Sequence, residues 1–378
     1  MTSTTSHPGA PAREPAPGDV LWLSRADVRA AMGGSIRPYV EALRGALSLH
    51  AAGDTAQPLK PYLRWRENGH IADRIIAMPG YVGGSEPIAG IKWIGSKHDN
   101  PSARGIPRAS AVIVLNDAET HFPVAIMEGG EISGMRTAGV SVLACELLAR
   151  PGFSSVALVG CGFIGRLHAL GLLEVFGSIR SLRLYDHERA AAEGLARELA
   201  DRNEAAAGAP AAEPTHRKEA AAETPAAQPA PPGLDVRVCA SAEEAVLGAE
   251  VVVPCTVADA PYIPFDWLAP GVFVSNISLM DVEPDAYVRV DKLVVDDWDQ
   301  CNREGKTLHT LVQEGRFSRD RLHAELGDVV RRVVPGRESP DERIMLSPMG
   351  MAIEDVACAA AVYRHARAQG TGTWLALE

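Results

Sequence analysis

Val156-Ala-Leu-Val-Gly-Cys-Gly-Phe-Ile-Gly165 organises the rest of the chain. Four apolar residues run into Gly160, Gly162 and Gly165, and Arg166 to Glu174 continues with a helical pattern. Strand, glycine turn and helix in that order form a dinucleotide-binding unit. The first glycine makes the turn, the second lets backbone approach a pyrophosphate, and the third allows close helix–strand packing. The helix N-terminus adds unpaired N–H groups and a partial positive charge. A second apolar stretch, Ser181-Leu-Arg-Leu-Tyr-Asp186, ends in a carboxylate placed to accept hydrogen bonds from the adenosine ribose. Asp186 would repel a 2′-phosphate, so NAD is expected rather than NADP.

Outward from this unit, the bulk properties narrow the classes. A chain of 378 residues suggests two domains. Its net charge of −11 argues against nucleic acid and anionic membranes as partners. No apolar run reaches a membrane span, and the N-terminus lacks a positive-then-apolar signal pattern, so a cytoplasmic location is expected. The six cysteines form no C-x-x-C pair and read as small buried hydrophobes. The histidines lack ligand spacing, and no metal is expected.

Residues 1–18, rich in Ser, Thr, Pro and Ala, read as disordered. Ser24 reads as the N-cap of a helix, and a further helix is expected over 38–50 with Val40, Leu43 and Leu47 on one face. Between Pro58 and Met127, apolar strands at 71–78, 88–94, 109–115 and 123–127 alternate with turns, one of them at Pro79-Gly80. This reads as a mostly antiparallel sheet. A small-residue helix over 132–148 bridges to the glycine unit, and a helix over 189–203 follows Asp186. Residues 204–233 are dominated by Ala, Pro, Glu and Thr and read as a low-complexity surface insertion. Strands at 235–239, 251–256, 272–275 and 292–296 resume the parallel sheet. Helical segments are expected over 301–314 and 320–326, and an alanine-rich helix over 352–368. The fold class is therefore α/β. A Rossmann-type parallel-sheet domain (136–348, with 204–233 as its insertion) joins a strand-rich α+β domain (19–135 with 349–378) for substrate binding and dimerisation.

Several charged residues stand where chemistry is possible. Lys92 lies inside the apolar strand Ile91-Lys-Trp-Ile94, as an edge-strand device or a functional group. Arg136 stands near the start of the bridge helix, which is not where the helix dipole favours a cation; it can grip a carboxylate bidentately. Lys60 and Arg64 flank Tyr62 and suit anion binding, or are surface charges; Arg108 is a further candidate cation. Asp281 follows the 272–275 strand, beyond the carboxyl ends of the sheet where ligands bind, or is a turn aspartate. Asp296-Asp297 reads as a structural turn, and Glu354-Asp355 as acids favoured at a helix start.

Together these blocks resemble the ornithine cyclodeaminase/μ-crystallin family. Gly90-Ile-Lys-Trp-Ile94 with Asp99-Asn100, Asn116 to Thr120 with Arg136-Thr-Ala138 and Ser141, and Gly160–Gly165 with Asp186 carry the likeness, which spans about 20–370. The resemblance implies a homodimer joined through the strand-rich domains. It implies that Lys92 and Arg136 bind the substrate carboxylate, that Ser110 lines that pocket, and that Asp281 is catalytic, with Lys92 as the other candidate. It also implies that NAD is held by Arg136, Thr137, Gly160, Gly162, Phe163, Ile164, Gly165, Asp186, Thr256, Val257, Asn276 and Gly350. Leu279-Met280 stand where the cyclodeaminases have two glycines, which argues against ornithine cyclisation. Within the family the chain looks most like the dehydrogenases of 2,3-diaminopropionate biosynthesis, through Tyr62 to Trp65, Ser275 to Asp281, Val295 to Arg303 and Pro348 to Asp355. That implies NAD-dependent oxidation of N-(2-amino-2-carboxyethyl)-L-glutamate to 2,3-diaminopropionate and 2-oxoglutarate, for a siderophore or peptide antibiotic. The alternatives are ornithine cyclodeamination, imine reduction, and nucleotide-dependent ligand binding without turnover.

Overall fold

The computed structural model describes residues 16–65, 70, 73–207, 233–278, 280–303 and 305–377. The chain opens with strands β1 (Asp19–Leu23), β2 (Thr55–Ala56), β3 (Tyr62–Leu63), β4 (Arg74–Val82), β5 (Ile88–Ser96), β6 (Ala109–Asp117) and β7 (Pro123–Glu128). It continues with β8 (Ser155–Val159), β9 (Ser181–Tyr185), β10 (Asp235–Val238), β11 (Val251–Pro254), β12 (Phe273–Ser275), β13 (Lys292–Val295), β14 (Ala324–Glu325) and β15 (Ile344–Leu346), and closes with β16 (Thr373–Ala376).

Two sheets result. The first has the order β16-β1-β7-β6-β5-β4-β2, with β3 also on β4; it is antiparallel except for β1 against β7. The second has the order β10-β9-β8-β11-β12-β15-β13-β14, and all its pairs are parallel. Strand order reverses between β8 and β11, the switch point beyond which such sheets bind dinucleotides. The α/β class with a Rossmann-type sheet and a strand-rich partner is thus the observed architecture.

Two helices hold the sheets together. Gly129–Leu148 is buried almost all round, which is how a helix between two layers must read. Its small residues matter sterically: a Cβ on Gly139 would lie 2.7 Å from Leu43 in the helix Arg37–Ala51, and one on Gly129 would lie 3.0 Å from Ala111 and Ile113 of β6. Gly130 faces Glu128, whose carboxylate caps the helix on the N–H groups of Gly130 and Glu131. The helix Ala352–Gln369 is likewise buried over its first three turns and packs on β4, β5 and Arg37–Ala51.

Several expectations needed correction. β4 runs straight through Pro79-Gly80, read from sequence as a turn. Pro79 stands where β4 has no second neighbour, between its pairings with β2 and β3, so its missing N–H costs no ladder bond. Gly80 lets Ala352 approach to 3.2 Å of where a Cβ would stand. The segment expected to be helical over 301–314 is two helices, Trp298–Cys301 and Thr307–Gln313, parted at Gly305 with φ +77°. Residues 320–326 are not a helix either. A single 3-10 turn, Arg319–Arg321, leads into edge strand β14 on β13, and a helix starts only at Leu326. The bridge helix begins at Gly129, so Arg136 sits two turns inside it rather than at its start. The expected strand residues 71–72, terminal residues 1–15, and 208–232 of the expected insertion lie outside the described residues; 204–207 extend the helix Arg189–Ala207. No described helix is long and apolar enough to cross a membrane.

Candidate active site

The glycine turn is built as its chemistry requires. Gly160 has φ +98°, and its N–H donates to Tyr185 O at 2.8 Å. A Cβ on Gly165 would stand 2.0 Å from the Gly160 carbonyl, so only glycine lets the helix Phe163–Val175 start this close to the turn. A Cβ on Gly162 meets nothing within 4 Å; it would project into open space at the helix N-terminus, where a diphosphate needs bare backbone. Asp186 follows β9 and lies across the turn, its Oδ2 accepting from Cys161 N at 2.7 Å and its Oδ1 from Glu188 N at 2.9 Å. These donors fix the carboxylate beside the glycine turn. The cradle therefore fits NAD by shape and by charge. Phe163 is exposed, and its ring reaches over Gly134 of the bridge helix.

Between the last helix and the bridge helix lies a buried ion network. Lys92 is 1% exposed; its Nζ donates to Asp355 Oδ2 at 2.6 Å and to Ser133 Oγ at 3.1 Å. Arg136 Nε donates to Asp355 Oδ1 at 3.1 Å and its Nη1 to Glu354 Oε2 at 3.0 Å. Burial draws the Lys92 ammonium down to about 8, with Asp355 opposing and Arg136 assisting. Burial pushes Asp355 up, but Arg136 and Lys92 outweigh it and hold the carboxyl below its usual range. Glu354 is raised by burial against the pull of Arg136. Glu354 also accepts from Met351 N at 3.1 Å, so the helix-start role read from sequence is present but incomplete. Both acids are partners of the site cations. No local pattern signals this, because the pairs span more than two hundred residues.

Arg136 retains Nη2 without a partner among the described residues. It lines a small cleft with Thr137, Ile277, Met349 and Gly350. Gly350 has φ +72°, and a Cβ there would lie 2.5 Å from Arg136 Nη1. Lys60 is buried, its Nζ donating to Met349 O at 2.9 Å and Gly350 O at 2.6 Å. Lys60, Lys92, Arg136 and Gly350 are thus brought together.

Asp281 is fully buried beyond the carboxyl end of β12. Thr256 holds it, with Oγ1 donating to Oδ1 at 2.5 Å and N to Oδ2 at 3.2 Å. Burial pushes its pKa up, while the Thr256 hydroxyl and N–H oppose that. The Thr256 hydroxyl is therefore engaged with Asp281, and the Asn276 amide with Tyr287 OH at 2.7 Å and Ser278; Val257 is exposed. Leu279 lies outside the described residues. Ser110 and Arg64 stand apart from Asp355, around a cavity of about 280 Å³ shared with Trp65, Arg74 and Lys97. Arg108 donates to Ser96 Oγ at 2.9 Å.

One grouping was not legible from histidine spacing. His70, Asp73 and His98 place their ligand atoms within 4.8 Å of one another, because Arg74 pairs with Ser96 and brings the strand ends together. Asp73 there already receives Lys97 Nζ at 2.9 Å and His98 N at 2.8 Å, so its charge is matched by a cation of the chain.

Comparison with known proteins bears on this geometry. The family model described as ornithine cyclodeaminase/mu-crystallin matches residues 23–214 and 212–370. A protein of Staphylococcus aureus named N-((2S)-2-amino-2-carboxyethyl)-L-glutamate dehydrogenase is 49% identical over 95% of this chain and 99% of its own. The crystal structure of CmnK is 34% identical with a TM-score of 0.79, covering 95% of this chain and 99% of that one. An archaeal alanine dehydrogenase dimer with bound NAD is 27% identical with a TM-score of 0.78, covering 95% of this chain and 100% of that one.

Proposed function

The chain belongs to the ornithine cyclodeaminase/mu-crystallin family, and within it we infer an NAD-dependent dehydrogenase acting on N-((2S)-2-amino-2-carboxyethyl)-L-glutamate. The products are L-2,3-diaminopropionate, 2-oxoglutarate and NADH. The observation that carries this reading is the 49% identity, over nearly the full length of both chains, to a dehydrogenase of that name.

Bound NAD supplies the acceptor for the hydride from the glutamate Cα, leaving a C=N bond in the substrate. Asp281 takes the proton from the secondary ammonium beforehand, so that the nitrogen lone pair is free. Its carboxylate is poised for this by burial, which raises its basicity, and by Thr256, which fixes Oδ1. The same group then holds the water that adds to the C=N carbon, and collapse releases the primary amine and the keto acid. Arg136 Nη2 and the remaining Lys92 donor take the carboxylate at the reacting carbon, while Asp355 and Glu354 hold both cations in place. Gly160, Gly162 and Gly165 hold the diphosphate and Asp186 the ribose.

We read the functional unit as a homodimer. Trp93 and Val112, paired across β5 and β6, and Trp22 of β1 are exposed on the first sheet, an apolar face suited to a second copy. The test of function is NADH formation from NAD and the synthetic conjugate. Ornithine cyclodeamination would instead recycle the cofactor and give no net NADH.

A further inference from the structure

Tyr62, two residues after the buried Lys60, has four cations around its ring. Arg64 and Arg74 carry their Cζ atoms 5.7 and 5.3 Å from the ring centroid, Arg303 at 5.0 Å, and Lys306 its Nζ at 5.9 Å. The first two come from the strand-rich half. Arg303 and Lys306 come from the break between the helices Trp298–Cys301 and Thr307–Gln313, beyond β13 of the parallel sheet. The cluster therefore spans both halves of the chain.

It is poorly balanced from within. Arg303 Nη1 is buried without a hydrogen-bond partner, and Lys306, 9% exposed, has no carboxylate or hydrogen-bond partner among the described residues. Burial, then repulsion from Arg74, Lys60, Arg303 and Arg64, draws Lys306 down to about 7. One tyrosine ring does not offset the buried Lys306 ammonium beside the unpaired Arg303 Nη1. Structures that gather cations this way, with donors left over, are completed by an anion.

The cluster is also tied to the reacting centre. Arg303 Nη2 donates to the Lys60 carbonyl at 3.0 Å, and Lys60 Nζ donates to Gly350 O, beside Arg136. Arg303 and Arg136 are thus linked through the buried Lys60 and the Gly350 backbone.

We propose that Arg303 and Lys306, with Tyr62 beneath them, form a second carboxylate subsite that takes the distal carboxylate of the substrate while Arg136 takes the one at the reacting carbon. This rests on the dehydrogenase reading above and extends it to specificity. The enzyme selects di- and tricarboxylates, and amino acids with a single carboxylate leave the subsite empty.

The experiment pairs Lys306→Met with calorimetric titration of NADH-loaded protein. Glutarate and 2-oxoglutarate bind the wild type more tightly than butyrate, which lacks the second carboxylate. In Lys306→Met both dicarboxylates weaken by about tenfold or more, butyrate does not, and KM for the conjugate rises by more than kcat falls. The variant melts at or above the wild-type temperature, because a buried, mutually repelled charge has gone. Equal binding of glutarate and butyrate by the wild type, or unchanged dicarboxylate affinity in the variant, overturns the subsite. Lys306-dependent glutarate binding without turnover of the conjugate keeps the subsite and removes the dehydrogenase reading. Normal turnover with an unmoved KM does the reverse.

Discussion

Replacing Asp355 by asparagine removes one negative charge from between two buried cations. Lys92 Nζ lies 2.6 Å from one carboxylate oxygen and Arg136 Nε 3.1 Å from the other. Breaking a buried pair from one side costs about 3–5 kcal/mol. Lys92 has a partial escape. Burial has already drawn it to about 8, so giving up its proton near pH 7 costs about 1.4 kcal/mol. Arg136 has no such escape but keeps Glu354. The expected loss near neutral pH is therefore about 2–4 kcal/mol. The sign with pH follows from linkage. The folded pKa of Lys92 lies below its unfolded value, so the folded state sheds this proton first and stability rises between about pH 8 and 10.5. The asparagine variant sheds it at lower pH still, so its deficit narrows once the wild type has also lost the proton. Denaturant unfolding followed by tryptophan fluorescence, near pH 7 and near pH 9, reads both quantities. A variant as stable as the wild type near neutrality, or a deficit that widens on going alkaline, would show that Asp355 does not hold the two cations in this way.

Asp281→Asn should lower kcat/KM by about 10²–10⁴ and abolish the acid limb of its pH profile, since the raised carboxyl must be ionised to act; a surviving acid limb assigns the base elsewhere. The glycines of the turn should separate by mechanism. Gly162→Ala leaves the melting temperature unchanged and loses NAD binding, because its Cβ has room until the diphosphate arrives. Gly165→Ala destabilises the fold itself by about 1–3 kcal/mol, because its Cβ meets the Gly160 carbonyl. Thermal melts and NADH fluorescence titrations of the two variants check both statements, and equal behaviour would contradict them.

Local signals carried most of the fold. The glycine turn is forced by contacts within a few residues, Ser24 forms its capping box with Asp27, and the long strands β4 to β6 announce themselves by apolar runs. What escaped was short or distant. β15 is three apolar residues with no period of their own, and it becomes a strand only because β12 and β13 leave a slot between them. β1 and β16 depend on each other across the whole chain. Lys92 and Arg136 were visible as charges in the wrong place, whereas Glu354 and Asp355 looked like ordinary helix-start acids until the last helix packed over β5. Lys306 had no local signature, since its environment is made by Tyr62 and Arg64, by Arg74 of β4, and only in part by its neighbour Arg303.

The most direct measurement of the central claim is mass spectrometry of the products after incubation with NAD and N-((2S)-2-amino-2-carboxyethyl)-L-glutamate. The expected products are 2,3-diaminopropionate and 2-oxoglutarate in equal amounts, matched by NADH. Unchanged conjugate, with ornithine converted to proline and ammonia without net NADH, would contradict it.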